Sequence, residues 1–200
     1  GALAAYTENG TIRNIYSKID ITNSRDIVTS PLRASGIVAT AKSSTVDRCI
    51  SFGDINVFNC FNGIAGIVSS AEGNVTITNC ANIGKISVTE TNELTLRYVP
   101  YVAGIAAYVE NAGNSSFILE DCYNYGQIRT ILHGENTGAI LGYSGYADNS
   151  NVKNNYYLDT SNGTGIGSST HGYSDSAAIV KQADAFASGE VAYLLNSNVT

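Results

Sequence analysis

One repeat constrains this chain more than any other feature. Three segments align without gaps: Cys49-Ile50-Ser51-Phe52-Gly53-Asp54-Ile55, Cys80-Ala81-Asn82-Ile83-Gly84-Lys85-Ile86 and Cys122-Tyr123-Asn124-Tyr125-Gly126-Gln127-Ile128. Each reads Cys-x-(Asn/Ser)-x-Gly-x-Ile. A second motif precedes each segment and recurs once more: Gly36-Ile37-Val38, Gly66-Ile67-Val68, Gly104-Ile105-Ala106 and Gly138-Ala139-Ile140. Asn155-Tyr156-Tyr157 stands where a fourth Cys segment would fall, and Ile12-Arg13-Asn14-Ile15-Tyr16 followed by Ile19-Asp20-Ile21 reads as a degenerate first copy. Successive Cys residues lie 31 and then 42 positions apart, while each glycine follows its Cys by four. The turn after the Cys strand is therefore fixed, and the chain lengthens elsewhere, as in Thr89 to Tyr98.

Short β-type runs broken by Asn and Gly at this period predict a quasi-one-dimensional parallel β-solenoid, each coil holding about three strands. Coils stack at about 4.8 Å, so four or five make a rod about 20 to 25 Å long. A lone coil has nothing to bury its apolar side against, whereas stacked coils share one interior. Ile55, Ile86 and Ile128 are expected to form one aliphatic ladder and Ile37, Ile67 and Ile105 another. Gly53, Gly84 and Gly126 are expected to supply a positive-φ corner. Asn82 and Asn124, with Ser51 in the equivalent place, are expected to stack as a hydrogen-bonded ladder.

Composition agrees with stacked strands. Only 2 of the 200 residues are Pro, which cannot donate to a ladder, and 14% are charged. A hydrophobic fraction of 44% excludes a disordered composition, and the net charge of -6 argues against nucleic acid or an anionic membrane as partner. No apolar run reaches the roughly 20 residues a membrane-spanning helix needs. The chain has no Met and starts at Gly1. We expect a piece of a longer protein, with any signal peptide or anchor outside it.

The domain organisation expected is solenoid repeats over 1–160, a Gly/Ser-rich loop over 161–175 and a helical cap over 176–200. Ala183, Phe186, Ala187, Val191, Leu194 and Leu195 fall at helical spacing, with Ser188-Gly189 splitting the segment into two short helices. A terminal amphipathic segment is most simply a cap on the exposed solenoid end.

The copies Ala65-Gly66-Ile67-Val68 with Thr78-Asn79-Cys80-Ala81-Asn82-Ile83-Gly84-Lys85-Ile86, and Ala103-Gly104-Ile105-Ala106 with Asp121-Cys122-Tyr123-Asn124-Tyr125-Gly126-Gln127-Ile128, resemble the GLUG-type repeats of bacterial surface proteins. The tail 186–196 is similar to a segment that follows such repeats, and the resemblance covers about residues 36 to 196. It implies a right-handed β-solenoid in a secreted or wall-attached bacterial protein, adhesin-like or a non-catalytic part of a secreted peptidase. It supplies no catalytic residues.

For chemistry, the four cysteines come first. Cys49, Cys80 and Cys122 share one repeat position, with Cys60 just beyond the first copy. In-register side chains on parallel strands point the same way, which favours a buried free-thiol ladder. A disulfide framework is the alternative in an exported protein, and metal ligation lacks a Cys-x-x-Cys or His-rich partner. His133 and His171 belong to no zinc-peptidase motif, and Gly-x-Ser-x-Gly is absent. Glu120-Asp121 is the only adjacent acidic pair, and strand alternation sends its members to opposite faces. Asp54, Lys85 and Gln127 read as a surface ladder rather than an active site. We therefore expect no catalytic residue, cofactor or metal.

Tyrosine offers the binding signal. Of 13 Tyr, eleven lie beyond residue 97. Tyr98, Tyr101, Tyr143 and Tyr146 are the candidate ligand contacts, in the loops Thr89–Tyr101 and Tyr143–Ser150. The alternative is that these rings pack at corners and under the cap. The expected role is a non-enzymatic, monomeric, extracellular display or adhesion scaffold for a glycan or a host or matrix protein. The alternative role is an accessory module beside a secreted peptidase or carbohydrate-active domain.

Overall fold

The computed structural model describes residues 1–23, 32–58, 62–89, 100–110, 115–130, 134–145, 152–161, 163–170 and 173–197. They form a parallel β-solenoid of about four turns, with two short helices at the C-terminal end. Five sheets run along the rod instead of the three expected. The coil at 34–58 shows the order: Ala34–Ser35 in sheet I, Val38–Lys42 in sheet II, Thr45–Asp47 in sheet III, Ile50–Ser51 in sheet IV and Ile55–Phe58 in sheet V. The coils at 63–89 and 101–130 repeat it in full, and incomplete coils flank them. Strands of two to five residues replace longer ones because a corner interrupts the chain every few residues.

The corners explain the sequence. Asn14, Arg48, Asn79, Asp121 and Asn154 all sit at positive φ, between 52° and 57°, each directly before the Cys-type position. Asn and Asp tolerate this left-handed conformation best after Gly. Asp121 is thus the corner itself, and the strand face is left to Glu120. Gly53, Gly84 and Gly126 do not adopt positive φ, contrary to expectation. Their reason is contact: a Cβ would lie 2.1 Å from the Ile19 carbonyl oxygen, 2.0 Å from that of Gly53 and 2.0 Å from that of Gly84, respectively.

The left-handed corner turns the next amide inward, and the side chain of the following coil receives it. Cys49 N–H donates to Cys80 Sγ at 3.5 Å and Cys80 N–H to Cys122 Sγ at 3.3 Å. Cys122 N–H donates to Asn155 Oδ1 at 3.1 Å, so Asn155 occupies the fourth Cys position. Each thiol also donates to the carbonyl two residues before it, at 3.4, 3.1 and 3.2 Å for Cys49, Cys80 and Cys122. The three thiols are buried and unbridged, while Cys60 lies outside the described residues. Hydrogen bonding to the Cys80 thiol, then burial, pushes the Cys49 thiol well above its usual range. Burial and then the Cys122 thiol do the same to Cys80. Native protein is therefore expected to leave these three thiols unalkylated at pH 8, and denatured protein to label all three; peptide mapping that finds any of them labelled before unfolding would contradict the ladder.

The amide ladder forms two residues further on. Asn82 Nδ2 donates to Asn124 Oδ1 at 2.8 Å and to the Gly84 carbonyl at 2.9 Å, and Asn124 Nδ2 donates to the Gly126 carbonyl at 2.9 Å. Ser17 and Ser51 hold the same row in the earlier coils. This row stands against the glycines of the Gly-Ile motif: a Cβ on Gly66 or Gly104 would come within 2.3 Å of the Asn82 or Asn124 side chain. It separates two apolar clusters, one containing Ile37, Ile67, Ile105 and the cysteines, the other Ile55, Ile86 and Ile128. Both expected aliphatic ladders are present, extended by Ile21 and Ile140. Gly138 is not the fourth motif glycine, because it pairs with Ala103 and leaves Ala139 opposite Gly104. Tyr157 replaces Asn in that coil, so no amide there demands a glycine.

The C-terminal part departs from the expected division. Within 161–175, Ile166–Ser169 is a strand of sheet II, and Ala178–Lys181 is a strand of sheet IV rather than helix. Helix α1 (Ala183–Ala187) and helix α2 (Glu190–Ser197) follow, separated at Gly189 with φ +86°. They pack laterally on the outer row of sheet IV, where Phe186, Val191, Leu194 and Leu195 meet Tyr123, Tyr156 and Ile179. The end of the rod is left to Val180, half exposed. Outward tyrosines on adjacent rungs require cover, and the helices supply it there.

Candidate functional site

Sheets I and II are separated in each coil by little more than the Gly-Ile pair, and they fold toward each other on the outer side. Outward groups of the two sheets touch coil after coil. Arg33 donates to Thr40 Oγ1 at 2.9 Å, Ser69 Oγ to the Gly63 carbonyl, and Ser168 Oγ to Asn136 Oδ1. Between these, the Tyr101 ring lies 4.8 Å from Tyr108. The contacts mark a groove along the solenoid axis. Small residues form its floor: Ala39, Ser69, Ala107 and Gly142 are in register. A Cβ on Gly142 would come within 2.5 Å of the Ala107 carbonyl oxygen, so a larger floor residue would force the coils apart.

The sheet II wall is a single in-register row: Tyr6, Thr40, Ser70, Tyr108, Tyr143 and Ser168. Its aromatic part is a three-ring cluster. Tyr108 and Tyr143 stack at 5.6 Å with planes 9° apart, and Tyr101 tilts against both, 5.3 Å from Tyr143. Stacked strands place such rings one rung apart, and each ring limits the rotamers of the next. All three are half-buried. Burial raises the hydroxyl pKa of Tyr101 and Tyr108 above the ordinary value, with Glu110 adding to the effect at Tyr108. Both hydroxyls stay protonated at neutral pH and can donate.

The next rungs are polar. Arg33 Nη1 lies 3.2 Å from Glu72 Oε1, and Ser70 Oγ donates to the same carboxylate at 3.4 Å. One further rung along, Lys42 pairs with Glu8 at 2.9 Å, and Tyr6 donates to Glu8 Oε2 at 3.0 Å. Aromatic faces, hydroxyls and a matched ion pair thus share one groove. The arrangement can bind a ligand with an apolar face and many hydroxyls.

Of the sequence candidates, the structure brings Tyr101 and Tyr143 into contact. Tyr98 and Tyr146 lie outside the described residues, as do His133, His171 and all of 90–99 and 146–150. Tyr108, Arg33 and Glu72 were not singled out from sequence. A signal for Tyr108 existed: aligning Ile105 with Ile140 puts it beside Tyr143, whereas aligning Gly104 with Gly138 shifts the register by one. The surface ladder holds, with Asp54 N–H on Asp20 Oδ1 and Lys85 N–H on Asp54 Oδ1, both at 2.8 Å. Other carboxylates are likewise engaged. Asp47 accepts from Arg48, Thr78 and Asn79, and Glu120 pairs with Lys153. Among the described residues no group of three His, Cys, Asp or Glu side chains is placed to hold a metal ion, and no helix is long and apolar enough to cross a membrane. Comparison with protein-family models, with curated proteins and with solved structures finds no match to this chain.

Proposed function

We propose that this chain is a non-enzymatic, extracellular β-solenoid module of a bacterial surface protein, of the GLUG-repeat type. It acts as a stiff scaffold that displays a contact surface to a glycan or a matrix protein. The observation that carries this reading is the Tyr101–Tyr108–Tyr143 cluster in the groove between sheets I and II. Half-buried rings held in register spend little conformational entropy on contact, and Tyr offers an apolar face with a polar tip. The GLUG-type assignment draws on the Gly-Ile strand and the Cys-x-(Asn/Ser)-x-Gly-x-Ile segment returning in register coil after coil. The non-enzymatic part draws on the carboxylates being taken up in ladders and ion pairs.

Immobilised glycans and matrix proteins test the display role. The wild-type chain is expected to bind a reproducible subset of them, and the double variant Tyr108→Ala/Tyr143→Ala to lose that binding by about a hundredfold, at about 1.4 kcal/mol per ring. Retained binding by a variant with native circular dichroism would remove the tyrosine cluster from the proposal. Turnover of a polysaccharide by the purified chain would overturn the non-enzymatic reading.

A further inference from the structure

The groove carries more specific chemistry than general display. We infer that its ligand is a neutral, linear polysaccharide lying along the solenoid axis, with sugar rings stacked on Tyr108 and Tyr143 and hydroxyls bonded to the Arg33–Glu72 pair. This rests on the display role proposed above and names the ligand class of the same site.

Three observations lead there. First, the row Tyr6, Thr40, Ser70, Tyr108, Tyr143 runs one residue per coil, so its repeat is the strand spacing of about 4.8 Å. That spacing is close to the advance of one pyranose in an extended chain, so successive sugars meet successive rungs. Second, the row sets an aromatic stretch, Tyr108 and Tyr143, beside a polar one, Thr40 and Ser70, matching the two kinds of surface a sugar presents. Tyrosine faces suit the C–H side of the ring, and the Arg33–Glu72 pair offers donors and acceptors side by side for neighbouring hydroxyls. Third, the charges are matched within the groove: Arg33 with Glu72 and Lys42 with Glu8. Glu110, near Tyr108, adds a further negative charge, and the whole chain carries -6. An anionic glycan would meet no excess positive charge here and would be repelled.

The test is calorimetric titration of the full chain with cellohexaose, chitohexaose and mannohexaose, each beside its disaccharide, and with hyaluronan and oligogalacturonate as anionic probes. At least one neutral hexaose is expected to bind, at least about tenfold more tightly than its disaccharide because it spans several rungs. Tyr108→Ala is expected to weaken it about tenfold. Glu72→Gln, which leaves the rings and the backbone in place, is expected to weaken it several-fold and to narrow the gap to the anionic probes. Preference for an anionic glycan, or hexaose and disaccharide affinities that are equal, would overturn the inference. Binding of matrix proteins with no sugar bound would overturn it while leaving the display role standing. If neither sugars nor proteins bind, both fall.

Discussion

Gly84→Ala is expected to destabilise the protein by more than about 4 kcal/mol, beyond what an ordinary surface change costs by nearly an order of magnitude. The added Cβ would sit 2.0 Å from the Gly53 carbonyl oxygen, 2.6 Å from the Gly53 carbonyl carbon and 3.0 Å from the Phe52 carbonyl oxygen. These are backbone atoms of the coil below, so no side chain can rotate away. The coil cannot lift either, because the Ile83 amide bonds to Ser51 O at 2.8 Å and the Ile86 strand is locked between those of Ile55 and Ile128. Urea unfolding followed by circular dichroism reads the effect as a shift in midpoint. Gly163→Ala serves as the control: among the described residues nothing lies within 4 Å of its Cβ, and a change under about 0.5 kcal/mol is expected. A Gly84→Ala protein with a wild-type midpoint would show that the coils are not stacked this closely.

The second large effect is expected at Asn155. Its side chain accepts from Cys122 N–H and donates to the carbonyls of Leu119 and Ala177, at 2.9 and 3.0 Å, with no solvent exposure. Asn155→Ala strands one buried donor and two buried acceptors, and the expected loss is about 3–5 kcal/mol. Asn155→Cys should cost about half as much. Cys at the equivalent position of the preceding coil already receives the amide below it, and Cys122 Sγ lies 3.8 Å from the Ile77 carbonyl just as Asn155 reaches that of Leu119. Equal midpoints for the Ala and Cys variants would mean that packing rather than hydrogen bonding governs this row.

The two effects separate the parts of the repeat. Glycine at the fourth position after Cys is required by the coil below, and Cys or Asn at the first by the coil below and its inward-turned amide. Both requirements lie between neighbours in the stack, so either residue changed in one coil disturbs two.

Local pattern carried the repeat, the parallel solenoid, both aliphatic ladders, the amide ladder and the break at Gly189, because each depends on residues at constant offsets. It did not carry the number of sheets, since two-residue strands such as Ile50–Ser51 have no periodicity to read. It also misassigned the corners. Glycine suggests positive φ from sequence, yet before the Cys position Asn, Asp and Arg bend the chain, while Gly53, Gly84 and Gly126 make room for the neighbouring coil.

The candidate site was legible only in part for the same reason. Tyr101 and Tyr143 stood out by type, but Tyr108 joins them through a register that a one-residue shift conceals, and Arg33 meets Glu72 across 39 positions. Sequence by itself determined which residues stack, because stacking repeats at fixed offsets along the chain. Only the tertiary structure decided which outward residues share a groove, because that depends on how sharply sheets I and II fold toward each other. The small residues on the groove floor permit that angle, and the way the coils close fixes it.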